Sequence, residues 1–513
     1  MPSLNWIGKE TVVNHDKEVP FRLLRKINSH SVGKDSKNLI IHGDNLEALK
    51  ALMPHYFGKI GCIYIDPPYN TGNEKWVYND RVNSPKIKKW LGKVVGGEAE
   101  DLCRHDKWLC MMYPRLKLLK DLLSENGAIF ISIDDNEHCN LRAIMDEIFG
   151  ESNFVATIGW QKKFSRQSDA RWFSDTYEFI IVYAKSKYKW KPNLFPRTEE
   201  QDNRYKNPDN DHRGPWSPDN IVVKTYSAKY DYKIKTPSGR IVKPPTGFCW
   251  RYSKSRFQEL VTDNRIYFGN SGNNVPRVKR FLSEVQQGLV PITLWLRDFA
   301  GDTQEAVREV KLLLENEKFD SPKPVKLIKR ILQIASNNSD IILDSFAGAG
   351  TTGHAVLDLN KDDGGNRKFI LIEMENYAGK ITAKRVQNAI KKFGYKDGFE
   401  FCELDKTLFD EECQIEEECS FEQLATYIYF TETSTNLNEK LINKNFIGEY
   451  NETEFYLLFK EKGKNILNKE FLKKINKTGK KKIIYADRCL ISNWTLEKLK
   501  IQFKQIPYEV KVY

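Results

Sequence analysis

The chain has 513 residues, 40% of them hydrophobic and 29% charged, which is room for two or three domains and an ordinary globular core. A formal net charge of +12 points to a polyanionic partner and leaves nucleic acid and acidic membrane surfaces to be separated on other grounds. Nine cysteines without Cys-x-x-Cys spacing exclude a disulfide framework or a zinc knuckle; with no secretory signal and no apolar run long enough to span a bilayer, a cytoplasmic protein is expected.

In chain order, residues 1–37 are polar and read as an N-terminal arm. Asn38 to His42 reads as a short strand, broken at Gly43-Asp44-Asn45, and Leu46, Leu49, Leu52 and Met53 follow at helical spacing. Asp44 is placed to cap that helix. Cys62-Ile63-Tyr64-Ile65 reads as a buried strand that Pro67-Pro68 ends abruptly, because neither Pro can donate to a ladder. Asp66, the Pro67 carbonyl and the ring of Tyr69 thus stand at the carboxyl end of a buried strand, where open α/β sheets bind ligands. That set suits a planar, amino-bearing group: two acceptors for one NH2 and an exposed ring to stack on it. An ordinary Pro turn is the plain alternative.

Trp76, Tyr78, Asn79 and Trp90 follow in a polar stretch expected to be a mobile loop beside the site. Asp106 opens an amphipathic helix through Leu123, stopped by Gly127, and Ala128 to Ile133 is a second buried strand. Asp134, Asp135 and Asn136 read as the cap of a helix reaching Gly150, and no further ligand follows at metal-binding spacing. The βαβα alternation predicts a parallel, helix-covered sheet. Between about Phe154 and Val290 helical periodicity fades and basic and aromatic residues interleave, as in Trp160-Gln161-Lys162-Lys163, Arg213-Gly214-Pro215-Trp216 and Trp250-Arg251-Tyr252. Cations for phosphate, with rings and guanidinium groups for bases, make this an expected nucleic-acid face.

A helix with Pro in its first turn begins near Ser321-Pro322-Lys323-Pro324, and Ile341 to Asp344 is a strand. The run Ser345-Phe346-Ala347-Gly348-Ala349-Gly350-Thr351-Thr352-Gly353 holds a Gly-x-Gly-x-x-Gly opening a helix, and the strand Phe369 to Glu373 ends in a carboxylate. The bare fingerprint fits a dinucleotide, but Asp344 at the strand end would repel a pyrophosphate. S-adenosylmethionine carries a sulfonium, an ammonium and a ribose diol; Asp344 suits the cations and Glu373 the diol. From about Glu400 an acidic run (Asp410-Glu411-Glu412) precedes strand-like Ala425 to Phe430 and Glu454 to Phe459, and a Lys-rich segment leads into Ile483 to Ala486, enough for a small α/β domain.

Asp66-Pro67-Pro68-Tyr69 resembles the catalytic tetrapeptide of the amino-methyltransferases, and its Asp form is typical of DNA adenine-N6 enzymes. The longer run Asp66 to Gly72 resembles the modification subunits of type III restriction systems. With the catalytic strand before the recognition segment and the glycine loop last, the chain resembles the β group of these enzymes, whose sheet is completed by halves far apart in sequence. The resemblance implies an α/β, Rossmann-like S-adenosylmethionine-dependent sheet, permuted. The catalytic half would lie in residues 1–153, a target-recognition domain in 154–300, the cofactor half in 301–400 and a C-terminal docking or dimerisation domain in 401–513. It also implies Asp66, Pro67, Pro68 and Tyr69 as catalytic, and Asp344, Phe346, Gly348, Gly350, Thr351 and Glu373 as the cofactor set. Asp44 would receive the cofactor's adenine amino group, and Lys323 would pair with its methionine carboxylate. No metal is needed. The expected activity is methyl transfer to adenine N6 of a base flipped out of double-stranded DNA. The same chemistry on cytosine N4 or RNA, or a non-catalytic DNA-recognition subunit, stays open. A homodimer and a helicase-nuclease restriction subunit are the expected partners.

Overall fold

The computed structural model describes residues 4–33, 36–71, 85–95, 103–168, 170–315, 317–409, 414–416, 419–460, 464–475 and 478–506. Trp76, Tyr78, Asn79 and the acidic run Asp410 to Glu412, singled out above, lie outside them. The chain forms two units, residues 194–291 and all the rest.

The larger unit is built on one ten-stranded sheet. Its strands, in chain order, are β1 (Arg22–Lys26), β2 (Leu39–His42), β3 (Ile60–Ile65), β4 (Leu123–Ile133), β5 (Phe154–Gln161), β6 (Tyr177–Ala184), β7 (Leu294–Trp295), β8 (Ile341–Asp344), β9 (Lys368–Glu373) and β10 (Glu400–Thr407). Their spatial order is β1-β10-β2-β9-β8-β3-β4-β6-β5-β7. The six strands from β10 to β4 run parallel, and β6 enters antiparallel between β4 and β5. Every residue of β3 is buried, the pattern of a strand covered on both faces rather than an alternating one.

The covering helices are α1 (Asn45–Tyr56), α2 (Arg104–Leu122), α3 (His138–Phe149), α4 (Thr303–Leu313), α5 (Val325–Ala335), α6 (Thr351–Asp363) and α7 (Lys384–Phe393). α5 buries Val325, Leu327, Ile328, Ile331, Leu332, Ile334 and Ala335, leaving its Lys and Arg side chains on the outer face. From β3 the chain passes through α2 to β4; from β8 it passes through α6 to β9, on the opposite side. The two neighbours β8 and β3 therefore flank a topological switch point, where a crevice opens outside the strands' carboxyl ends.

Three expectations are redrawn. Residues 154–184 do not open a separate recognition domain: β5 and β6 extend the central sheet, because Ile180, Ile181 and Val182 are buried and pair with β4 on one side and β5 on the other. Ala425 to Phe430 is not a strand but the middle of the helix Phe421–Thr433. Ser420 and Gln423 form a capping box at its start, which outweighs the β-leaning run of Tyr, Ile and Phe inside. Asp134 does not cap α3; it closes a turn on Asn136, accepting from its backbone N–H (2.9 Å) and side-chain amide (2.8 Å).

Beyond β10, a four-stranded sheet in the order Phe446–Tyr450, Thr453–Leu457, Lys481–Ala486, Ile501–Gln505 forms the small C-terminal α/β fold. The unit of residues 194–291 has a three-stranded antiparallel sheet (Ile266–Tyr267, Arg277–Phe281, Trp216–Asn220), two short ribbons and the helix Lys254–Thr262 around Ile221, Trp250, Phe257 and Leu260.

Candidate active site

The carboxyl ends of β3 and β8 bring the two sequence signals together. Asp66 follows β3, and Asp344 closes β8 and begins the glycine loop. A cleft is walled by Asn45, Asp66, Pro68, Phe346, Glu373 and Met374. An adjoining hollow shares Asp66 and Phe346 and adds Lys323, Asp344, Gly348 and Thr351. Asp66 and Phe346 thus stand where the two spaces meet.

Asp66 is the hub of a charged cluster. Lys323 Nζ donates to both its oxygens at 2.8 Å and to the Tyr69 hydroxyl at 2.9 Å. The Tyr69 hydroxyl lies 2.9 Å from Asp66 Oδ1 and 3.0 Å from Glu178 Oε2. Glu178 lies 3.5 Å from Lys323 and 3.2 Å from Lys162, which also pairs with Asp175 at 2.7 Å. The Pro-Pro turn is pinned by Trp108, whose indole N–H donates to the Pro68 carbonyl at 2.7 Å. Asn70, the next residue after Tyr69, sits at φ 56, a left-handed conformation that Asn tolerates, and its side-chain amide bonds Glu137.

Two of these placements differ from the sequence reading. Tyr69 is not an exposed ring: it is 2% accessible, its hydroxyl is held between two carboxylates and the Lys323 ammonium lies 5.0 Å from its ring centroid. Lys323 meets a carboxylate, but one of the chain's own, Asp66. Glu178 and Lys162 were not singled out as site residues. The signal was a lone acid in the second position of the apolar strand Tyr177–Ala184, and only the antiparallel return of that strand brings it to Tyr69.

The cluster's electrostatics follow from who faces whom. Burial raises the Asp66 carboxyl, with Lys323 opposing and Glu178 reinforcing the rise. Burial acts on Glu178 too, but Lys323 and Lys162 together outweigh it and hold that carboxyl below its ordinary value. Burial lowers Lys323, and Asp66 and Glu178 more than restore it, so the ammonium stays charged.

On the β8 side, Asp344 accepts from Thr352 Oγ1 (2.5 Å) and the Phe346 N–H (3.0 Å), yet burial pushes its carboxyl up to about 7. Glu373 accepts from the Gly348 N–H at 2.8 Å and the Glu375 N–H at 3.0 Å, which ties the loop to the end of β9. Gly350 has φ 78, and a Cβ there would stand 2.9 Å from the Thr382 carbonyl, so glycine is required on two counts. Thr351 receives Arg385 Nη1 at 2.7 Å and donates to the Lys323 carbonyl at 3.1 Å, joining the loop to the segment that carries the ammonium. Asp44 caps α1, accepting from the N–H groups of Leu46 (2.9 Å) and Glu47 (3.2 Å), and its other oxygen lies 3.3 Å from Arg115. It faces a neighbouring groove that shares Met374 with the main cleft.

Several basic and aromatic residues expected on a nucleic-acid face are structural. Trp160, Trp216 and Trp250 are buried, and Arg213 is spent on Asp211 (2.9 Å) and Asp263 (3.1 Å). Lys224, Lys229, Lys233, Lys235, Arg240 and Lys243 remain exposed on the unit of residues 194–291. Among the described residues no group of His, Cys, Asp or Glu is placed to hold a metal ion, and no helix is long and apolar enough to cross a membrane.

Comparison with known proteins agrees with this arrangement. The chain is 36% identical over 381 residues to the type III restriction-modification enzyme StyLTI Mod subunit of Salmonella typhimurium, covering 72% of this chain and 56% of that protein. It is 33% identical to the EcoPI Mod subunit of Escherichia phage P1, covering 76% and 68%, and 30% identical to the type II methyltransferase M.KpnI of Klebsiella pneumoniae, covering 70% and 83%. The chain thus spans little more than half the length of the first of these relatives. The profile of the N6/N4 methyltransferases, described as DNA methylase, matches residues 60–384, a segment that holds the β3 and β8 ends, the glycine loop and Lys323. On that match, the chain belongs to the DNA methylase family.

Proposed function

We propose that the chain methylates the N6 amino group of adenine at a specific site in double-stranded DNA, with S-adenosylmethionine as donor. The observation that carries this reading is the meeting of Asp66 and the Phe346 loop across one cleft at the switch point. S-adenosylmethionine, when bound, supplies an electrophilic methyl on a sulfonium. The residues of the cleft and the adjoining hollow fit it: Asp344 for its ammonium, Glu373 for its ribose diol and Phe346, Gly348 and Thr351 around the loop that Gly350 shapes. The Ser345 hydroxyl, on the cleft wall, is buried with no partner among the described residues, a donor waiting for a polar ligand. Asp44, in the adjoining groove, is the acceptor for an adenine amino group.

The chain's own part in the reaction follows from the cluster. Asp66 and the Pro67 carbonyl accept the two N6 hydrogens, which withdraws the nitrogen lone pair from the ring and fixes its direction. A carboxylate has about four acceptor sites, so Asp66 serves N6 while keeping Lys323. Lys323 and the Tyr69 hydroxyl hold the carboxylate still; Tyr69 acts as a positioning residue. Asp66, whose carboxyl burial raises from its ordinary value, then takes the N6 proton. The target base reaches this cleft only by leaving the helix.

Long-read modification sequencing of DNA from cells expressing the chain tests the reading. N6-methyladenine confined to one short motif, and absent with Asp66→Ala, is expected. No modified base from a chain that folds and binds S-adenosylmethionine would overturn it. We further propose that the chain forms a homodimer and that a restriction subunit docks on residues 401–513; the names of the Mod-subunit relatives support a restriction partner alone. Light scattering on the purified chain checks the first, and co-purification of a restriction subunit with full and truncated chains checks the second.

A further inference from the structure

The connection between β5 and β6 carries an exposed aromatic tip rooted at the active cluster. Lys162 and Lys163 both donate their backbone N–H to the Thr176 carbonyl (2.9 and 3.3 Å), and the Gln167 N–H donates to Ser174 Oγ at 2.8 Å, so the two limbs of the connection are tied together. Beyond these ties Trp172 is 80% exposed and Phe173 96%, and Phe164, on the first limb, is 66% exposed. Cations flank each ring system: Arg171 lies 5.2 Å from the Trp172 ring centroid and Arg297 lies 4.1 Å from that of Phe164, and the exposed Arg166 lies between Phe164 and Trp172 in sequence. At the root, Lys162 and Asp175 pair, Lys162 reaches Glu178, and Glu178 reaches the Tyr69 hydroxyl beside Asp66.

Two fully presented rings serve no packing purpose in the fold, and large apolar groups kept in water mark a surface that is covered in use. The chemistry of the cover is set by the surroundings. Rings interleaved with guanidinium groups suit a partner that offers π-faces and phosphates together, which is a nucleic acid. A base drawn out of a duplex leaves an unstacked gap, and apolar side chains inserted at a base step are a known physical means of filling one. We propose that Trp172 and Phe173 form a wedge that enters the duplex and stacks where the target nucleotide has left. Arg166 and Arg171 hold the tip on the backbone. This inference rests on the DNA-methylation reading above and adds to it the element that keeps the helix open.

The test uses the full chain and a duplex containing the motif identified by modification sequencing. Single-turnover methylation is compared for wild type and Trp172→Ala/Phe173→Ala, on the paired duplex and on one whose target adenine faces an abasic site. The double variant is expected to be slowed by about tenfold or more on the paired duplex and by less than about threefold on the pre-opened one. Its melting temperature and S-adenosylmethionine affinity should match wild type, since both rings lie in solvent. Wild-type rates on both duplexes, or equal slowing on both, would overturn the wedge. So would a change in oligomeric state on gel filtration, which would make the tip an interface between copies of the chain. A wild-type chain that methylates neither duplex would refute the underlying reading, and the wedge would fall with it.

Discussion

The Tyr69 hydroxyl stands within hydrogen-bond reach of Asp66, Glu178 and Lys323, so each of these groups sets the protonation of the others. Asp66→Ala removes the proposed acceptor for N6, and turnover is expected to fall by about 100-fold or more, as when a positioned transition-state partner is lost; a single-turnover methylation assay reads it. Glu178→Gln removes the charge that helps raise Asp66 while leaving Lys323 opposite it. The Asp66 carboxyl then drops, so the acid limb of the pH–rate profile should move to lower pH, with a rate loss of about tenfold or less at the optimum. Asp344 gives a separate pH signature. Its folded carboxyl titrates at about 7 against an ordinary 3.8, so the folded state holds the extra proton across that window and the unliganded protein loses stability as pH rises through it. Only the ionised form could make the proposed pair with the ammonium of S-adenosylmethionine. Affinity should therefore rise with pH through about 7 and level off above it, and Asp344→Asn should bind weakly with a flat profile, both measurable by titration calorimetry. Asp66 and Asp344 were legible in the sequence because each ends an apolar run at a rigid turn or a glycine loop. Glu178 was not, since its role depends on a strand pairing 109 residues away from Tyr69.

At the scale of elements, the glycine loop owes its shape to backbone conformations that only some residues accept. Gly350 and Gly364 both lie in the left-handed region, at φ 78 and φ 71, at the two ends of α6. A Cβ at Gly350 would meet the Thr382 carbonyl at 2.9 Å, whereas one at Gly364 would meet nothing within 4 Å. Gly364→Ala is expected to cost about 1 kcal/mol from strain alone. Gly350→Ala should cost about 1 kcal/mol more and weaken S-adenosylmethionine binding, because the backbone itself must shift; thermal melts with and without ligand separate the two. The parallel strands and their helices were readable from buried runs and 3.6-residue spacing. The helix Phe421–Thr433 was not, because its aromatic and β-branched middle imitates a strand and the deciding capping box occupies only four residues at one end. The boundary of the recognition segment was misplaced for a related reason: β5 and β6 join the sheet through pairing to β4, which composition does not record.

For the molecule as a whole, the formal net charge of +12 suits the proposed DNA substrate. DNA affinity is expected to fall by about 1000-fold between 50 and 200 mM salt if six or so phosphates are contacted, while S-adenosylmethionine affinity barely changes; fluorescence anisotropy across a salt series measures the slope. The switch-point crevice has its own consequence in time. β3 and β8 are neighbours in the sheet but lie roughly 280 residues apart in the chain. At about 5–20 residues per second, a ribosome that has made Asp66 takes a further 15 to 55 s, roughly, to supply Asp344. Throughout that interval the emerging chain owns half a cleft, and the site stays incomplete until about two-thirds of the chain is built. The same delay leaves one side of β3 without its neighbour, an unpaired apolar edge for which a chaperone, or a second nascent chain, would compete.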